Sequence, residues 1–121
     1  MEKEYEFDFE RLKVYRRALD FADKIFGVTK NFHQTVQYSL GDHLRKTAIS
    51  ICNNIAEGSG KQSKNAKIQF YGYAIDSARE CIPMISISAK QAYLDNNDRN
   101  YLRKECEEIC NMLGGLIRAT K

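Results

Sequence analysis

Residues 42 to 58 read DHLRKTAISICNNIAEG, and their periodicity decides the fold class. Placed about 100° apart, as in an α-helix, Leu44, Ala48, Ile51 and Ile55 fall within roughly 60° of one another and form a core-facing seam. Ile49, Cys52 and Ala56 widen the apolar surface on one side of that seam. On the other side His43, Thr47, Ser50, Asn54 and Glu57 recur at steps of four and three, a continuous stripe of short hydrogen-bonding groups. Only a narrow sector is left for solvent, so a helix of this kind in a small domain needs a second partner, and the simplest one is another copy of the chain. The polar stripe is therefore the candidate subunit contact. Its short Thr, Ser and Asn side chains suit close approach better than the long charged side chains of a free surface. A solvated face is the competing reading.

Working outward, the pattern upstream is also helical. Leu12, Tyr15, Leu19, Ala22, Phe26 and Thr29 recur at steps of three and four and predict a first helix over about 10–32 with that stripe turned inward. Ser39 and Asp42 have capping-box spacing and predict a second helix over about 40–58, ending at Gly58. Ser63 is a favourable N-cap for a third helix over about 64–93, with Phe70 or Tyr71, Ala74, Ala78, Cys81, Ile85, Ala89 and Ala92 inward. Pro83 falls inside it, removes a backbone hydrogen bond and predicts a kink. Asp95 to Asp98 is loop and cap chemistry. A fourth helix over about 98–119 follows, with Leu102, Cys106, Ile109, Leu113 and Leu116 on a heptad seam. Residues 1–9 alternate acids with Tyr5, Phe7 and Phe9, which predicts an extended arm with one aromatic face lying on its own bundle or reaching a neighbouring subunit. Four helices, short connections and no internal repeat predict an all-α, antiparallel up-and-down four-helix bundle, one domain spanning 1–121.

Composition agrees with this class. The 121 residues are 43% hydrophobic and 29% charged, with a single proline. No run of 18 uncharged apolar residues is available to span a membrane, and the acidic opening MEKEYEFDFE lacks a signal-peptide apolar block, which predicts a cytoplasmic protein. Net charge is +3, but residues 1–10 carry five acids and one lysine, so the remainder holds 18 basic against 11 acidic side chains, or +7. Cys52, Cys81, Cys106 and Cys110 form no CxxC pair or zinc-finger spacing and are read as reduced thiols filling the core.

The run from Asp42 to Gly58, with Leu44, Arg45 and Lys46, then Ser50, Ile51, Asn54, Ile55, Ala56, Glu57 and Gly58, and the following Gly60, Lys61 and Ser63, resembles the signature of the four-helix-bundle family of 23S ribosomal RNA intervening-sequence proteins. Phe9, Leu12, Val14, Tyr15 and Ala18 upstream and Ala74, Ser77 and Glu80 downstream extend the resemblance over nearly the whole chain. Asp76, Cys52 and Pro83 depart from its pattern. The resemblance implies a ring-shaped homopentamer without established catalytic activity. It also implies similarity to the accessory proteins of diversity-generating retroelements, which associate with nucleic acid and a reverse transcriptase.

Three functional readings follow. In the first, the protein is a non-enzymatic scaffold binding RNA or DNA backbone through Lys61, Lys64 and Lys67 around the turn between helices two and three. Arg45 and Lys46 add to that surface, with Arg99, Arg103 and Lys104 beyond. Lysines that merely solubilise a loop are the alternative, and no RNP motif or zinc finger equips the chain for base readout. In the second, it is a protein-interaction adaptor for a partner enzyme such as a reverse transcriptase. The third, an enzyme or metal protein, is disfavoured: a di-iron bundle needs Glu-x-x-His pairs, and neither His33 nor His43 has a glutamate three residues before it. No catalytic residue, metal or cofactor is expected.

Overall fold

The computed structural model describes residues 3–121. Four long helices make up the body: α1 (Lys13–Thr29), α2 (Asp42–Ser59), α3 (Lys64–Lys90) and α4 (Asn96–Thr120), with no strand among the described residues. Contacts between helices fix their directions. Arg17 meets Glu105 and Lys24 meets Asp98, so α1 and α4 run antiparallel. Ser50 meets Ser77 and Gly58 meets Tyr71, so α2 and α3 do too. Arg103 reaches Ser86, and Tyr15 lies by Cys52 while Leu19 and Phe26 flank Ile49. Helices therefore follow one another around the bundle in chain order, which puts the α1/α2 face opposite the α3/α4 face.

The core joins all four helices through Phe21 and Ile25, Leu44, Ile51 and Ile55, Ile85, and Leu102, Ile109 and Leu113, each fully buried. Burying a side chain of this size stabilises by on the order of 2 kcal/mol, and this layer supplies most of the drive to fold. Buried polar groups are answered. Arg17 donates from Nε and Nη2 to the two carboxylate oxygens of Glu105 at 3.0 and 3.1 Å, and the Ser88 hydroxyl bonds the Met84 carbonyl at 2.7 Å.

The first helix differs from its expected course in both start and face. Leu12 is extended and α1 begins only at Lys13. The core takes Val14, Ala18, Phe21, Ile25 and Val28, sharing Ala22 and Thr29 with the stripe expected inside. Tyr15, Leu19 and Phe26 lie one residue round from this seam, and Leu19 and Phe26 remain 50% and 39% exposed. The helix carries two apolar stripes, and hydrophobicity alone does not say which one the bundle covers.

The arm is not extended along its whole length: Phe7 keeps an extended backbone, and the chain turns from Asp8. Met1 and Glu2 lie outside the described residues. Asp8–Arg11 forms a 3-10 turn in which the Glu10 carboxylate accepts the Phe7 amide at 2.9 Å. The aromatic rings pack in a row instead, Tyr5 on Phe7 at 4.9 Å, Phe7 on Phe9 at 5.7 Å and Phe9 on Tyr15 at 4.9 Å. Only Phe9 and Tyr15 are partly buried, and Tyr5 and Phe7 stand mostly in solvent.

The entry to α2 also departs from expectation. No capping box forms at Ser39 and Asp42. A short helical turn, Gln34–Val36, leads into a wide π-type turn, Gln37–Gly41, that runs directly into α2. Arg45 holds it by donating to the Gln37 side-chain oxygen at 2.7 Å and the Gln37 backbone carbonyl at 2.9 Å, while Gln37 Nε2 donates to the Thr29 carbonyl at 2.9 Å. A charged double clamp does the work assigned to the cap.

Gly58 does not end α2 by turning left-handed, since the helix continues through Ser59. It is small because α3 crosses there: a Cβ on Gly58 would stand 2.8 Å from Tyr71 Cε1 and 3.2 Å from Phe70 Cβ. Ser63 caps α3 as expected, accepting the Ala66 amide at 3.0 Å. The helix then runs unbroken past Pro83, which sits on the exposed side. It stops at Lys90 rather than Tyr93, because Ala92 turns left-handed with φ 64°. The Tyr93 amide donates to the Ser88 carbonyl at 2.8 Å and the Ala92 amide to the Ala89 carbonyl at 3.0 Å, the Schellman pattern. Ala92 is thereby expelled from the core, and Leu94 is buried after it. Asp95 caps α4 through the Asp98 amide at 2.7 Å, so α4 starts at Asn96.

Candidate functional site

The basic turn between α2 and α3 is assembled by two local signals, the close approach at Gly58 and the Ser63 cap. Its three lysines differ in availability. Lys64 opens α3 and is exposed. Lys61 Nζ lies 3.5 Å from Glu57 Oε2 and 4.8 Å from the Phe70 ring centre, a surface pairing that an incoming phosphate can displace at little cost. Lys67 is committed: its ammonium donates to the Ser59 carbonyl at 2.7 Å, satisfying an orphan acceptor at the end of α2. Arg45 and Lys46 do not join this cluster. They lie near the start of α2, roughly 20 Å away at 1.5 Å per residue. Arg45 clamps Gln37, and Lys46 makes an exposed pair with Asp42 at 3.1 Å.

The polar stripe of α2 is largely consumed within the chain. Thr47 is buried and its hydroxyl bonds the His43 carbonyl at 2.8 Å. The Ser50 hydroxyl sits 3.0 Å from that of Ser77 on α3, and Asn54 Nδ2 donates to the Ser50 carbonyl at 2.9 Å. His43 lies 3.8 Å from Glu80, also on α3. Only the ends of the stripe, His43 and Glu57, are exposed. Within the chain the close approach is made by α3, where Ser77 supplies the hydroxyl that meets Ser50.

The surface left without a partner is the other flank of α2. Ile49 is 41% exposed and lines, with Tyr15, Leu19 and Phe26 of α1, an apolar recess of about 570 Å³ whose charged members are Asp20 and Asp23. The sequence signal existed in the second apolar stripe of α1, which was assigned to the core.

A profile described as 23S rRNA-intervening sequence protein matches residues 10–115 of the chain. The chain belongs to the 23S rRNA-intervening sequence protein family. No curated protein matches it. Among solved structures it is similar to a protein with unknown function from the S23 ribosomal protein family of Bacteroides thetaiotaomicron, with TM-score 0.80 and 21% identity over 87% of this chain and 95% of that one. At that identity the likeness concerns the fold.

Within this member of the intervening-sequence family Cys52, Cys81 and Cys106 are buried, and Cys110 is half-buried. Burial pushes the Cys52 thiol up to about 11. The Cys106 thiol is also raised, first by its hydrogen bond with Cys81 and then by burial. Among the described residues no group of three or more His, Cys, Asp or Glu side chains is placed to hold a metal ion, and no helix is long and apolar enough to cross a membrane. On the α3/α4 side lies a groove of about 480 Å³ with Arg79, Arg103 and Lys104 around an apolar floor. Of these cations Arg79 had escaped notice, since on α3 it reads as an ordinary solvated residue.

Proposed function

We propose that this chain is a cytosolic, non-enzymatic scaffold that self-associates and binds the backbone of RNA or DNA through basic surface repeated by the assembly. The observation that supports it is the row of half-exposed Leu19, Phe26 and Ile49. Large apolar side chains gathered on two rigid helices mark an interaction surface. Five is the copy number that the resemblance implies, and repetition multiplies a phosphate contact that is weak in a single copy. Lys61 and Lys64, exposed or held only by surface pairing, are the first-choice phosphate contacts; Lys46 is secondary, while Arg45 and Lys67 support the fold. Recognition is of charge and shape. The kinship with retroelement accessory proteins belongs to the same proposal.

The test is binding of a short mixed-sequence RNA and of the matching DNA to wild type and to Lys61→Glu/Lys64→Glu at several salt concentrations. The reading expects affinity to fall steeply with salt and to drop at least tenfold in the variant, with the helical spectrum unchanged. Binding that persists in the variant moves the contact elsewhere, and no binding at low salt removes nucleic acid from the account.

A second reading, an adaptor for a partner enzyme such as a reverse transcriptase, draws on Tyr5 and Phe7, which stand 76% and 54% exposed on an acidic arm. Its signature is capture of such a partner that resists salt and is lost in Tyr5→Ser/Phe7→Ser.

A further inference from the structure

We infer that the acidic N-terminal arm guards the basic turn between α2 and α3, so that a nucleic-acid backbone must displace the arm's carboxylates to reach Lys61 and Lys64. This rests on the nucleic-acid reading proposed above and adds a built-in competitor to the same site.

Chain direction brings the two together. α1 starts, α2 ends and α3 starts at one end of the bundle, so the arm that leads into α1 shares that end with the basic turn. The 3-10 turn Asp8–Arg11 packs on α2. Phe9 lines one recess with Asn53, Glu57, Gly60 and Lys61, and its ring is anchored on Tyr15 at 4.9 Å. Asp8 is the next residue, about 3.8 Å along the chain, and screening at physiological salt acts over about 8 Å. Burial, and after it the Asp8 carboxylate, raises the pKa of Tyr71, the ring that meets Gly58, so the charge of Asp8 is felt at the foot of the turn.

The chemistry is complementary. Residues 4–10 carry Glu4, Glu6, Asp8 and Glu10 and no cation. Local bonds hold this charge in place: Glu10 accepts the Phe7 amide and Asp8 the Phe9 amide, both at 2.9 Å, and Glu6 lies 3.6 Å from Arg11 at the surface. Among the described residues Lys61 pairs within 4.0 Å only with Glu57, and Lys64 with no carboxylate. The arm also shares features with its competitor. It alternates carboxylates with rings, and Phe7 stacks on Phe9 at 5.7 Å with 17° between their planes, much as charge and stacked bases alternate along a single strand. Phosphate and carboxylate compete for the same ammonium donors. Binding then exchanges arm carboxylates for phosphates, which lowers affinity and makes it less salt-dependent than the lysines alone would give.

The experiment follows binding of a short mixed-sequence RNA by fluorescence anisotropy across a salt series, with circular dichroism as the folding control. Wild type is compared with Glu6→Gln/Asp8→Asn and with Asp76→Asn/Glu80→Gln, which removes the same charge from exposed positions on α3. Those positions begin roughly 18 Å along the helix from Lys64. The arm variant should bind roughly threefold or more tightly at low salt and lose affinity more steeply as salt rises, while the α3 variant should bind as wild type does. Equal gains in the two variants would reduce the effect to net charge and overturn the inference. An arm variant that binds like wild type, or more weakly, overturns it too. Binding by the arm variant alone supports both the guard and the site, whereas no binding by any of the three at low salt removes the nucleic-acid reading itself.

Discussion

Gly58 of α2 faces the Tyr71 ring so closely that a Cβ in its place would stand 2.8 Å from Cε1 and 2.9 Å from Cδ1. Tyr71 is itself buried and backed by the core, so it cannot swing clear. Alanine at a helical glycine normally gains about 0.5–1 kcal/mol. Here overpacking costs about 1–3 kcal/mol and wins. Gly58→Ala should therefore lower the urea midpoint, and Gly72→Ala, with open space around its Cβ, should not.

Ala92 gives the opposite sign. It occupies the left-handed position of a Schellman turn at φ 64°, where a Cβ costs about 1–2 kcal/mol. The residue is exposed, so nothing is lost by removing its methyl. Ala92→Gly should stabilise the protein by about 0.5–1 kcal/mol after the added entropy of the unfolded chain, seen as a higher denaturation midpoint.

The lysines of the basic turn should separate into structural and surface roles. Lys67→Ala removes a charge-assisted hydrogen bond to the last turn of α2 and should cost about 1 kcal/mol. Lys64→Ala touches nothing in the chain and should stay within about 0.5 kcal/mol of wild type while weakening any RNA binding. Denaturation and binding measured on the same two variants give the comparison.

Thiol chemistry supplies a pH prediction. Burial raises Cys52 from its ordinary 9.0 to about 11, so the folded state keeps a proton that the unfolded chain releases. The folded state then binds more protons than the unfolded one, and stability must fall as pH rises from about 9 to about 11. Cys52→Ala should flatten that decline, read from denaturation midpoints across the range. At pH 8 about one part in a thousand of such a thiol is ionised, so alkylation of Cys52 in the native protein should be slow until the fold opens.

Much of this fold was legible in the sequence. The α2 seam of Leu44, Ala48, Ile51 and Ile55 is buried as read, and the caps at Ser63 and Asp95 form because each depends only on neighbouring residues. What misled was any choice between two satisfactory alternatives. Tyr15, Leu19 and Phe26 have the same helical spacing as Val14, Ala18, Phe21 and Ile25, and only the position of α4 decides which stripe is covered. Within the chain Ser50 meets Ser77 on α3 and Thr47 bonds back to the His43 carbonyl, partners that the spacing of α2 alone does not name. Ala92 conceals its left-handed turn because alanine is an ordinary helix former. Arg45 and Lys67 read as free cations because their acceptors, Gln37 and the Ser59 carbonyl, are supplied by turns that periodicity does not describe.

Self-association through the α1/α2 face is the central claim, and light scattering after size exclusion tests it on wild type beside Leu19→Lys/Ile49→Lys. Both side chains are substantially exposed, so the variant retains its core. The account predicts a wild-type mass near five times 14.0 kDa and a folded variant reduced to a single chain. A monomeric wild type, or a variant that keeps the wild-type mass, would contradict it.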